Sequence, residues 1–200
     1  MIKNTLDETI VMLQTTEISL RKDFHELSDN LFDNLIKKYP NRILDIYEVK
    51  LESDAEEIAL FNSVYFKLNN EIKYLNLIEN IFEENDNTCY IETTIFKNYS
   101  EELLLRYINE LDLIDKYLLL KQIDIFKRKL YTKFCIDNIN ILKMFLKLML
   151  REIIPLELYF KKKPIIIFSN YDLSLPILFK KNEDISFYEK LVRKHQLYLR

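Results

Sequence analysis

The sequence predicts an α+β chain, mainly α-helical, in which long N-terminal and central helices pack with a small, mostly antiparallel sheet near the C-terminus. Three observations lead there. Apolar residues recur at steps of three and four through much of residues 5–154. From Pro155 the pattern changes to short β-type runs, "LELYF", "IIIF" and "LSLPILF". No fixed-period repeat or low-complexity linker breaks the 200 residues, so one domain is expected. Its helical part covers about 1–154 and its β-containing part about 155–200.

Taken in order, residues 5–38 read as one long helix or two in tandem, with Thr5 and Glu8 as a capping box and Pro40 beyond the end. Glu17 interrupts the stripe, where a helix end or kink explains it. His25 has Asp29 one turn away, an ordinary surface pair. "ILDIYEVKL", residues 43–51, suits a strand. Ser53 with Glu56 opens the clearest helix, whose face is Ile58, Phe61, Tyr65, Leu68, Ile72, Leu75, Ile78 and Phe82. It should stop at "EENDN", residues 83–87. "TCYIETTIF", residues 88–96, reads as a strand. Ser100 caps a further helical pattern that runs to Ile154, with "IDNIN", residues 136–140, separating two helices. The second has apolar residues on two faces and should be deeply buried. After Pro155 comes a β-meander with turns at "KKKP" and "SNYD", then a helix over 182–196 and a last strand in "LYLR".

Glycine is absent altogether, as is tryptophan; alanine occurs twice and arginine seven times. Ordinary usage of about 7% would give roughly fourteen glycines. The bias points to an AT-rich genome, so abundant lysine and asparagine carry little functional meaning. Positive-φ positions must fall to other residues, Asn and Asp first. In the "SNYD" loop Asn170 is the expected left-handed residue, Pro176 should mark an edge strand or bulge, and Tyr171 stands at an exposed tip.

Missing glycine also argues against the phosphate loop, the dinucleotide fingerprint, the nucleophile elbow and the kinase glycine loop, all of which need close backbone approach. His25 and His195 lack any zinc-type spacing. Cys89 and Cys135 form neither a metal pattern nor a disulfide framework, which fits a reduced, cytoplasmic setting. A Cys135–His195 nucleophilic pair is the one nucleophile arrangement open to distant residues, but cysteine in such an apolar run is ordinarily a small hydrophobe. Glu56/Glu57 and Glu101/Glu102 fall in first turns, where the helix dipole explains them. No secretory signal and no membrane span are expected. No catalytic residue, metal site or cofactor is assigned.

Charge is the feature above background. Residues 1–120 hold 12 basic and 24 acidic residues, and residues 121–200 hold 17 and 8. Acidic and basic parts that pack together, or that form differently charged solvated faces, are the first explanation of this asymmetry; the functional expectation is a small cytoplasmic protein-interaction or regulatory protein, of inhibitor or immunity type, acting by surface charge complementarity. Its expected surface is Lys127, Arg128, Lys129, Lys161, Lys162, Lys163, Tyr171, Arg193 and Lys194. The alternative is sequence-tolerant nucleic-acid binding through the same basic part, and the third reading is an enzyme with an unrecognised site. The partner is expected to be a protein, with nucleic acid and self-association open and no membrane. An acidic surface offered by the helices to a basic partner is a further form of the interaction reading.

Overall fold

The computed structural model describes residues 14–15, 31–52, 56–61, 63–98, 100–127 and 130–200. Its strands are β1 (Gln14–Thr15), β2 (Asn41–Asp45), β3 (Cys89–Glu92), β4 (Lys133–Ile136), β5 (Glu157–Phe160), β6 (Ile165–Phe168), β7 (Leu175–Phe179) and β8 (Tyr198–Leu199). The described helices are α1 (Leu31–Lys38), α2 (Glu56–Leu60), α3 (Val64–Glu84), α4 (Glu101–Asn109), α5 (Leu113–Phe126), α6 (Ile139–Leu150) and α7 (Asn182–Lys194).

The strands form one sheet in the order β1-β4-β3-β5-β6-β7-β2-β8, with every neighbouring pair antiparallel. This corrects the expected architecture. The sheet is neither small nor confined to the C-terminus, because β2, β3 and β4 from the first two thirds of the chain are hydrogen-bonded into it. β4 lies at the end of the stretch read as the first of two helices, just before the break expected at residues 136–140. Its residues Phe134 and Ile136 face the main core, and a four-residue strand in an apolar context carries no period that separates it from helix.

Strand alternation divides the interior. Leu158, Ile165, Ile167, Ile177 and Phe179 join the large core under the helices, whereas Tyr159, Ile166 and Leu178 meet Leu35 of α1 in a second cluster. β6 and β7 are buried along their length, which is why they read as unbroken apolar runs. Pro176 lies on an interior strand, contrary to the edge position its residue type suggests. The β6–β7 ladder ends at Ile177, and Ile43 opposite Pro176 directs its own backbone bonds to Arg200 at 2.8 and 3.0 Å, so no proline N–H is needed there.

α6 is the central helix, buried on nearly all sides between α3 and α5. Its N-cap is Asn138, which accepts from Asn140 and Ile141 backbone amides; Ser100 and Ser63 cap α4 and α3 in the same way. Without glycine, three helices still end in left-handed Schellman turns. Asp86 after α3 (φ 58°), Glu152 after α6 (φ 60°) and Gln196 after α7 (φ 56°) hold the position. The paired return bonds Asn87→Phe82, Ile153→Leu148 and Leu197→Val192 complete them. The Thr5/Glu8 cap, Glu17, His25 and Ser53 lie outside the described residues.

Candidate interaction surface

Part of the charge polarity seen in the sequence is taken up by ion pairs within the chain. α6 presents Lys143, Lys147 and Arg151 at successive turns. Arg151 grips Glu71 of α3 with two bonds of 2.7 Å and also donates to the Glu110 carbonyl. Lys143 pairs Glu79 of α3 at 2.8 Å, two turns further along, as an antiparallel helix pair requires. Lys147 turns the other way, to Asp112 at 2.8 Å and to Asp115, both on the α5 side. Asp112 is the N-cap of α5, and the Asp115 backbone amide, together with the Lys147 ammonium, holds its carboxyl down to about 2. Burial pushes Asp115 up despite Lys147. Further cross-pairs are Lys163–Glu84 at 2.5 Å, Lys162–Asp86, Arg193–Glu48 at 3.3 Å and Arg200–Asp45 at 2.6 Å. Among the described residues, seven basic side chains of residues 121–200 are thus paired with eight carboxylates of residues 1–120.

The expected surface residues are dispersed. Lys127, at the end of α5, pairs with Asp124 at 2.9 Å, and Arg128 and Lys129 lie outside the described residues. Lys161, Lys162 and Lys163 form the β5–β6 turn, where Lys161 covers the Tyr90 ring at 4.2 Å and Lys163 the Phe187 ring at 3.6 Å. Arg193 and Lys194 end α7. Tyr171 is 71% exposed, at the opposite end of the sheet from the lysine turn.

The structure brings forward a surface that the sequence read as core. On α3 only the C-terminal part of the apolar stripe is buried: Leu75, Ile78 and Phe82. The N-terminal part faces outward, with Tyr65 79%, Leu68 47% and Ile72 50% exposed, beside Val64 at 73%. α4 adds exposed Leu105, and α5 adds Leu113, Ile114, Tyr117 and Leu120. Scattered apolar residues on a surface are ordinary; a continuous outward stripe on one helix marks a candidate interaction site. Val64 and Leu68 also line a half-open cleft of about 330 Å³ completed by Glu110, Leu150 and Leu173. Residues 51–120, which carry these helices, hold 15 acidic against 5 basic residues.

Leu173 belongs to the β6–β7 loop, the hub of this end. Asp172 and Leu173, not Asn170, take the left-handed conformation, at φ 55° and 57°. That geometry costs Leu173 about 1–2 kcal/mol. Three contacts offset it: Leu173 is buried, its carbonyl accepts from the Tyr74 hydroxyl, and the Asp172 amide donates to Glu152 at 3.1 Å. A second cleft of about 330 Å³ on the other side of the loop contains Asp45, Tyr47, Phe61, Ser174 and Arg200. Of its two carboxylates, Asp45 and Asp172, the first is already engaged. Asp45 accepts from Arg200, from Ser174 at 2.8 Å and from the Tyr47 amide at 3.1 Å, so it ties β8 and the β6–β7 loop to β2.

Among the described residues the Cys135–His195 pairing and a metal site do not assemble. Cys135 lies on the sheet face with Tyr90, while the His195 ring sits 2.7 Å from Asn80 on α3, across the sheet, so the two do not form a pair. Burial holds the Cys135 thiol above its ordinary range, opposite to what a nucleophile needs. Among the described residues no group of three or more His, Cys, Asp or Glu side chains is placed to hold a metal. No described helix is long and apolar enough to cross a membrane. Comparison with protein-family models, with curated proteins and with solved structures gave no match in any of the three.

Proposed function

We propose that this chain is a protein-binding regulatory factor, of inhibitor or immunity type, that captures a basic, apolar-faced partner on its acidic helices. The observation that carries the reading is the outward stripe Tyr65, Leu68 and Ile72 on α3, beside a cleft whose walls include Leu150 and Leu173. Apolar anchors give such a contact its affinity, and the surrounding carboxylates give it partner choice and association rate. Glu56, Glu57, Glu101, Glu102 and Glu110 are exposed around these helices. Two copies meeting face to face would juxtapose like charges, so complementarity favours a different chain that supplies Lys and Arg beside its apolar residues.

The test is site-specific photo-crosslinking in the native host. A photoreactive side chain replaces Leu68, with Lys190 on α7 as the control position. The expected result is one protein adduct from position 68, with an excess of basic residues in the cross-linked segment, and none from position 190. Absence of any adduct at 68, or the same adducts at both positions, overturns the reading.

A further inference from the structure

The cleft beside the α3 stripe is selective in what it can hold. Leu150 and Leu173, both buried, line it together with Val64 and Leu68 of α3. The α4–α5 turn at Asn109 and Glu110 forms another wall. Arg151 joins these walls. Its Nε and one terminal nitrogen each bond Glu71 at 2.7 Å, and the other terminal nitrogen donates to the Glu110 carbonyl. All three nitrogens thus already donate in the plane of the group, to partners on two different elements. The guanidinium is held in place, and what it has left to offer a guest in the cleft is chiefly its flat face.

Four kinds of guest side chain fare differently there. A cationic head would meet Lys67 and Arg151 in the lining, while Glu71 is already taken by Arg151. A carboxylate would have to enter through acidic surroundings, since residues 51–120 hold 15 acidic against 5 basic residues and Glu110 stands exposed at the rim. An aliphatic side chain would use the leucine walls but not the guanidinium. An aromatic ring uses both, with its body against the leucines and its face on Arg151, a contact that strengthens where water is displaced.

We infer that this cleft is an anchor pocket for one aromatic side chain of the partner, laid on the Arg151 guanidinium and flanked in the partner's sequence by lysine or arginine. The inference rests on the protein-binding reading and narrows it to a partner of stated chemistry. The flanking cations stay outside the cleft, where Glu110 and the acidic helices meet them. A single buried aromatic within a ring of weaker polar contacts is the arrangement that carries most of the affinity in protein interfaces.

The test uses the full chain and a synthetic five-residue peptide with one tryptophan between pairs of lysines. The chain has no tryptophan of its own, so the peptide supplies the only indole emission. That emission should shift to the blue and saturate as the chain is added, and exchanging the lysines for glutamates should weaken binding at least about tenfold at low salt. Phenylalanine and cyclohexylalanine versions then compete for the site. Their rings match in size and only the first has a π face, so the phenylalanine peptide should compete at least about threefold better. Arg151→Lys, which keeps the charge but not the plane, should abolish that preference. Val64→Ala with Leu68→Ala should weaken all lysine peptides at least about fivefold and Lys190→Ala should not, with thermal melting to confirm that each variant is folded. Equal competition by the two rings on wild type, with both lost from the Val64→Ala, Leu68→Ala variant, overturns the aromatic assignment and leaves the protein-binding reading standing. Absence of a saturable shift, or binding untouched by that variant, overturns the assignment of the cleft. The protein-binding reading fails separately, through the absence of a photo-adduct at position 68.

Discussion

Arg151→Met is the sharpest probe of the internal charge pairing. The Glu71 carboxylate is held by two 2.7 Å bonds from Arg151, and the side chains are only 8% and 23% exposed. Removing the arginine strands a nearly buried carboxylate, and the expected cost is about 3–5 kcal/mol. Against a total stability of about 5–15 kcal/mol that is a large fraction. With a urea slope of about 2 kcal/mol/M, the unfolding midpoint should fall by about 2 M. Glu71→Gln combined with Arg151→Met should recover part of the loss, because the neutral amide no longer needs a cation, so the double-mutant cycle is non-additive. The assay is equilibrium urea unfolding of wild type, both single variants and the double variant at neutral pH. A cost below about 1 kcal/mol for Arg151→Met, with additive behaviour, would refute the claim that this pair is desolvated and structural.

Three other outcomes follow from the same structure. Leu68→Asp should change stability by no more than about 0.5 kcal/mol, as for an outward residue, whereas Leu77→Ala on the buried side of α3 should cost about 2–5 kcal/mol; urea midpoints compare them. Gln196→Gly should stabilise the protein by about 1 kcal/mol by relieving a left-handed non-glycine residue at an exposed Schellman turn, an increase that thermal unfolding reads directly. Asp112 has a folded carboxyl held down to about 2, so its contribution is complete above its ordinary value of 3.8 and is lost as pH falls through about 2. Asp112→Asn should therefore be less stable than wild type at neutral pH, with the difference shrinking through that acid range in urea titrations.

Local signals survived the passage from sequence to structure well. Ser100 caps α4, the acidic and amide residues at 83–87 turn the chain after α3, and the three C-terminal runs are β5, β6 and β7. Each depends on neighbours within a few residues. Long-range information did not travel. Nothing near Lys133–Ile136 states that it will pair with β3, and β2 enters between β7 and β8 through contacts with distant segments. The candidate surface failed to show for a related reason. Period 3.6 says that Tyr65, Leu68 and Ile72 share a helix face with Leu75 and Ile78, but the end of the face that the fold covers is set by where α6 stops. Charge sums were visible without their pairing, since Glu71 and Arg151 meet only across the α3–α6 contact. The left-handed residues fell at Asp172 and Leu173 rather than Asn170 because burial of Leu173 and the Glu152 contact outweigh intrinsic preference.

The central claim is that the outward apolar face of α3 is the binding surface, and a matched affinity capture from nuclease-treated host lysate tests it most directly. Wild type is compared with the Leu68→Asp, Ile72→Asp double variant at low and moderate salt, read by quantitative mass spectrometry. The account predicts one near-stoichiometric basic protein on the wild type, weaker at the higher salt and lost from the folded variant. Equal recovery of that protein on both forms would contradict it.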